Sequence, residues 1–120
     1  MKPRIDGTRF GSITIEGDIY DHDVVICLDG KVKKRKKKLS KSVYGKSHKV
    51  SLGKAKRIFE NGAKLLIVDG GQSGCVELSD EAAEFFRNHG CEVNLLATPE
   101  AVAAWNKVEG EVIGMFHVTC

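Results

Sequence analysis

Long apolar runs are missing from this chain of 120 residues: the five residues from Val24 to Leu28 are typical of the longest. A membrane-crossing helix needs about 20 such residues, so the sequence predicts no membrane span. The opening Met1-Lys2-Pro3-Arg4-Ile5-Asp6-Gly7 carries charge but no apolar segment, so no secretory leader is expected. Close cysteine pairs are missing as well. Cys27, Cys75, Cys91 and Cys120 lie far apart, with no C-x-x-C among them. Structural zinc sites show close ligand pairs, and a domain of this length buries enough surface to fold without disulfides. The expectation is four unpaired thiols, no metal, no cofactor and a cytoplasmic location.

Nucleotide and nucleic-acid signatures are absent too. No G-x-x-x-x-G-K-[ST] loop or G-x-G-x-x-G fingerprint occurs, nor any helix-turn-helix, zinc-finger or RNA-recognition pattern. No Pro/Ser-rich linker or internal repeat divides the chain, so residues 1–120 are expected to form one domain.

What is present is a strong charge asymmetry. The net charge is +3, yet Lys31 to Lys49 holds ten basic residues and no acid, which leaves the remainder acidic. Seven of the eight residues from Lys31 to Lys38 are basic, and Lys33, Lys34, Arg35, Lys36, Lys37 and Lys38 are the candidate polyanion-binding residues. Only Tyr44 lies near them, so the aromatic platforms of single-strand binders are lacking. A run of lysines also protects an exposed strand edge, which is the simpler reading.

Periodicity separates the chain into two characters. Arg9 to Ile15 and Asp23 to Leu28 read as strands, with a turn at Glu16-Gly17-Asp18. Asp29-Gly30 predicts a hairpin with a type I′ turn, returning from Lys31 to about Lys37. Beyond Ser51 the pattern becomes helix, strand, helix, strand, helix, strand. Ser51 caps a helix with Leu52, Ala55, Ile58 and Phe59 on its apolar face; Leu65 to Val68 is a buried strand. Ser79-Asp80-Glu81 opens a second helix that closes at His89-Gly90, followed by a strand from Cys91 to Ala97. Thr98-Pro99 starts a third helix with a capping hydroxyl, and the last strand covers Glu111 to about Thr119. The order predicts a three-layer α/β domain: a mixed, mostly parallel central sheet, flanking helices and an additional N-terminal β-hairpin layer.

Two places carry candidate chemistry. Asp69-Gly70-Gly71-Gln72-Ser73-Gly74 follows a buried strand, where glycine N–H groups can approach an anion. Gly70, Gly71, Gln72, Ser73 and Gly74 are the candidate ligand residues, although Asp69 would repel a phosphate there; a glycine-rich turn is the plainer reading. His48, Cys75 and His117 are the candidate catalytic groups, with a histidine as base and Cys75 as nucleophile if they converge. His117 and Cys120, three apart on a strand, point to opposite faces, so a hydrogen-bonded His117 at a packed strand end is the plainer reading.

The segment Leu65 to Cys120 carries a resemblance. Leu65-Leu66-Ile67-Val68-Asp69-Gly70-Gly71, Thr98-Pro99-Glu100-Ala101-Val102, Trp105-Asn106 and Gly114-Met115-Phe116-His117-Val118-Thr119-Cys120 match the pattern T-x-x-A-V-x-x-[YW]-N followed by G-x-F-H-x-T-C. This resembles the small uncharacterised family that includes the adipogenesis-associated domain protein and a mitochondrial complex I assembly factor. Asp69 stands where such relatives tend to carry glycine, and the basic run is not one of their hallmarks. The resemblance implies the same three-layer fold and a role in assembly or protein interaction rather than turnover. The leading functional expectation is therefore a non-enzymatic interaction module with a protein partner or as a homo-oligomer. A small-molecule or anion site at Gly70–Gly74 comes second, and polyanion binding through Lys31–Lys49 third.

Overall fold

The structure is a computed structural model that describes residues 2–9, 11–34, 49–70 and 76–117. Within them the chain forms β1 (Ile5–Arg9), β2 (Ser12–Ile15), β3 (Asp18–Tyr20), β4 (Val24–Ile26), β5 (Val32–Lys34) and β6 (Lys49–Val50). There follow α1 (Leu52–Ile58), β7 (Leu65–Asp69), β8 (Glu77–Leu78), α2 (Asp80–Asn88), β9 (Glu92–Leu96), α3 (Thr98–Lys107) and β10 (Val112–Phe116). The central sheet has the order β5-β4-β10-β7-β9. Its core is the parallel trio β10, β7 and β9, and the antiparallel hairpin β4–β5 extends it on one side. A separate antiparallel sheet, β1-β2-β3, supplies the additional N-terminal layer. The fold is thus a mixed α/β domain of the expected layers, with one N-terminal hairpin joined to the central sheet and the other stacked on it.

Alternation along β7 and β10 assigns the two faces. Leu66, Val68, Ile113 and Met115 point toward α1 and α2, and pack with Ala55, Ile58, Ala82 and Phe86. Ile67, Val112 and Phe116 point the other way, onto Ala101 and Trp105 of α3 and onto Ile5, Ile13 and Ile15 of the N-terminal sheet. Strands buried on both sides read as continuous apolar runs, as these do. Gly114 interrupts β10 for a steric reason. A Cβ there would lie 2.7 Å from Phe116 Cε1 and 2.9 Å from Trp105 Cζ3, so the fully buried indole occupies the space a side chain would need.

The α3 end of that indole also holds the N-terminal sheet. Trp105 Nε1 donates to the carbonyl of Pro3 at 2.8 Å. Asn106 accepts from Ile5 N through Oδ1 at 3.0 Å and donates through Nδ2 to Ile5 O at 2.9 Å. Lys2 lies over the indole and donates to the carbonyl of Trp105.

Several local expectations are corrected. The single strand expected over Arg9–Ile15 is a hairpin, with Arg9 opposite Ser12 and Gly11 at positive φ. The Asp29-Gly30 turn is not type I′, because only Gly30 has positive φ. Gly30 N donates to Cys27 O and Cys27 N donates to Lys31 O, so the three-residue loop is a β-turn closed by a left-handed glycine. The two-residue turn with both residues at positive φ is Glu16-Gly17 instead. Thr98 does not cap α3: the cap residue is Ala97, and the threonine hydroxyl is engaged elsewhere. Ser51 and Ser79 do cap α1 and α2, each accepting a backbone N–H at 3.1 Å. Among the described residues no helix is long and apolar enough to cross a membrane.

The Trp105–Gly114 contact sets a prediction. Gly114→Ala should destabilise the fold by about 1–3 kcal/mol through overpacking. The urea midpoint should fall while the slope of the transition stays unchanged; an unchanged midpoint would mean that the indole moves aside at no cost.

Candidate functional site at the carboxyl edge of the central sheet

The chain leaves β7 toward α2 on one face of the sheet and leaves β9 toward α3 on the other. Adjacent strands whose connections depart to opposite faces open a crevice at their carboxyl ends, where ligands of α/β proteins gather. Here the crevice begins at Asp69-Gly70 and Ala97-Thr98, pinned together by Gly70 N donating to Leu96 O at 2.6 Å. Val76 N donates to Gly70 O at 3.1 Å. Next, β8 pairs in parallel with β6 and Ser79 N donates to Val50 O, which sets the first turns of α1 and α2 side by side at this edge.

Buried polar groups concentrate here. Asp69 is fully buried on the α3 face, and its Oδ1 accepts from Thr98 Oγ1 at 2.7 Å. The carboxylate therefore lies at the positive end of the α3 dipole, which favours its charge. His117 continues β10 by one residue and faces the α1–α2 side. Its Nδ1 lies 3.0 Å from the carbonyl of Asp69. A carbonyl only accepts, so Nδ1 carries the proton in this pair. The other ring nitrogen, Nε2, lies 3.8 Å from Asp23 Oδ2, across the extended β10–β4 register.

Lys54 completes the group. It stands in the first turn of α1 on the side packed against the sheet, and is 1% exposed. Desolvating an ammonium costs several kcal/mol, offset only by nearby carboxylates and hydrogen bonds. The helix dipole disfavours a cation in a first turn as well. Asp23, Lys54, Asp69 and His117 are each engaged by a neighbour.

The candidate residues read from the sequence separate accordingly. Gly70 and His117 belong to this edge. Gly71, Gln72, Ser73, Gly74, Cys75 and His48 lie outside the described residues, as do Arg35, Lys36, Lys37 and Lys38. Lys33 is exposed on β5, an outer strand of the central sheet. Cys27 is half-buried in the β4–β5 turn rather than packed in a strand, and Cys91 is buried beside α2. Burial pushes both thiols above their ordinary range, with Glu60 adding to the effect at Cys27, so neither is an activated thiolate. Among the described residues no group of three His, Cys, Asp or Glu side chains is placed to hold a metal ion.

Lys54, Asp23 and Thr98 were missing from the sequence-based candidates. The signal for Lys54 was its spacing: Ser51, Lys54, Ala55 and Ile58 form the buried stripe of α1, whereas Leu52 is only half-buried. A lysine on an apolar stripe marks such a site.

The Thr98–Asp69 bond gives a direct test. Thr98→Val removes the hydroxyl and should destabilise the fold by about 1–3 kcal/mol, whereas Thr98→Ser should retain most of the stability. Equal urea midpoints for the two variants would show that the hydroxyl does not support the buried carboxylate.

The comparisons with known proteins agree with this architecture. A conserved hypothetical protein from Pyrococcus horikoshii OT3 superposes with a TM-score of 0.90 at 29% identity, over 98% of this chain and 99% of that one. The protein MT938 superposes with a TM-score of 0.83 at 28% identity, over 99% of this chain and 100% of that one. A Mth938-like domain from Bordetella pertussis shares the fold alone, with a TM-score of 0.66 at 13% identity over 97% and 85% of the two chains. The family model that matches residues 5–117 is described as a protein of unknown function (DUF498/DUF598), and the chain belongs to that family.

Proposed function

We propose that this protein binds a small anionic molecule at the carboxyl edge of its central sheet, beside Gly70 and against the face that carries Lys54, Asp23 and His117. The observation that carries the reading is the burial of Lys54 in the first turn of α1, which the β6–β8 pairing sets beside α2 at this edge. The orientation of Asp69 supports it. The charge that would repel an anion from a glycine-rich turn is directed to the opposite face, against Thr98 and α3. Lys54 then supplies the attraction for an anion. His117 is fixed by its Nδ1–H and turns Nε2 toward Asp23.

Binding rather than turnover is the reading that these groups support. The described thiols are held protonated by burial, and His117 is committed to the backbone through one nitrogen. Membership of the assembly-factor branch, suggested by the C-terminal signature, supports an interaction role that a ligand-holding edge does not oppose. The exposed Lys33 on an outer strand fits edge protection better than a nucleic-acid platform.

Thermal unfolding in inorganic phosphate tests the proposal. Phosphate at ten times its Kd should add about 1.4 kcal/mol, which raises Tm by several degrees for a chain of this size. Lys54→Met leaves its buried neighbour without a partner and so should lower the Tm without ligand, and it should also lose that shift. A rise of equal size in the variant, or none in the wild-type protein with phosphate or sulfate, would overturn it.

A further inference from the structure

The two outer strands of the central sheet differ in how they meet solvent. On one side, β5 carries lysines in a sequence that continues into the basic run, the usual protection of an open edge. On the other side, β9 reads Glu92-Val93-Asn94-Leu95-Leu96, with no lysine, proline or glycine to block pairing. Among the described residues only β7 pairs with it. Leu95 is 42% exposed, one of only two large apolar residues among the described ones to be so open.

The ladder fixes which backbone groups are left over. Glu92 N donates to Lys64 O, and Leu96 O accepts from Gly70 N, so residues 92, 94 and 96 direct their main-chain groups toward β7. Val93 and Leu95 consequently direct theirs outward. These two residues are symmetric about Asn94. A second copy laid antiparallel with a twofold axis at Asn94 would set Val93 of each chain opposite Leu95 of the other, forming four main-chain hydrogen bonds. The side chains agree with that register. Val93 and Leu95 share the α2 face, where Leu78, Ala83, Cys91 and Val93, together with the charged Arg87 and Glu92, line a shallow groove of about 370 Å³. The partner's Leu95 would lie beside Val93 and cover it. On the opposite face the two Asn94 amides would meet across the axis, and each Glu92 would face Leu96 rather than another carboxylate.

We infer that β9 is a self-pairing edge through which two copies of this chain join their central sheets into one continuous sheet of ten strands. The inference is independent of the ligand reading, since the crevice lies at the carboxyl ends of the strands and this surface along the side of the sheet. Its occupant is a second copy because the register is self-complementary and only two residues offer outward main-chain groups.

Analytical ultracentrifugation of the full chain at micromolar concentration should show a dimer. Leu95→Lys replaces an exposed side chain, so it should fold normally. It should weaken association about a hundredfold, tenfold for each of the two symmetric leucines removed. Asn94→Cys places two thiols at the axis, in a closely spaced non-hydrogen-bonded pair. Under mild oxidation it should yield the Cys–Cys peptide joining position 94 of both chains, identified by mass spectrometry. A wild-type monomer would overturn the proposal, even if the edge captures a peptide of another protein. A dimer that persists in Leu95→Lys and gives no cross-link at position 94 would overturn it equally.

Discussion

The contact between the Trp105 indole and Gly114 decides where the rest of the second face can sit. The indole is fully buried, approaches the β10 backbone where no side chain stands, and meets Phe116 edge-on at 5.8 Å between ring centres. Its N–H reaches out of the core to Pro3, and Asn106 beside it takes both main-chain groups of Ile5. One residue pair thus joins helix, sheet and N-terminal layer. Without it the sheet β1-β2-β3 would be held mainly by Ile5, Ile13, Ile15 and the half-buried Tyr20, and a small three-stranded sheet is marginal alone. The glycine and the aromatic pair in the C-terminal signature are therefore architectural, and they fix β10 in the middle of the sheet.

That placement brings the polar edge together. Because β10 lies between β4 and β7, its continuation His117 is flanked by Asp23 on one side and the carbonyl of Asp69 on the other. The same placement sends α2 and α3 to opposite faces and creates the crevice. Asp69 is held by Thr98 at the start of α3 and Lys54 is buried in the first turn of α1, and each of these charged groups is engaged by a neighbour. An edge built only for stability would have been cheaper with apolar residues, since buried ion groups add little net stability.

Much of the architecture was legible in the sequence because its elements are punctuated. Ser51 and Ser79 cap their helices, Gly90 follows a helix end with positive φ, and Leu65–Val68 is apolar throughout. What was not legible depended on contacts distant in sequence. Thr98 has the local signature of a cap, but its hydroxyl serves Asp69, 29 residues earlier. The Asp29-Gly30 pair announces a hairpin without fixing its turn type, because one positive φ suits a three-residue loop as well as two suit a primed turn. The polar edge was half legible: Gly70 and His117 stand out by residue type, whereas Lys54 and Asp23 resemble surface residues until the topology buries them.

The glycine-rich turn illustrates how topology changes the meaning of a motif. Read locally, an aspartate immediately before the glycines argues against any anion, since a carboxylate and a phosphate would repel within a few ångströms. The strand alternation reverses the argument. Asp69 shares parity with Leu65 and Ile67, so its side chain must lie on the α3 side, whereas the chain beyond Gly70 leads to α2 on the other. Asp69 thus belongs to the α3 face although the chain continues toward α2. Lys54 is buried in α1, the helix that follows β6 and packs beside α2. In a parallel sheet the charge that governs a strand-end turn is set by the face the chain leaves on rather than by the neighbouring letter.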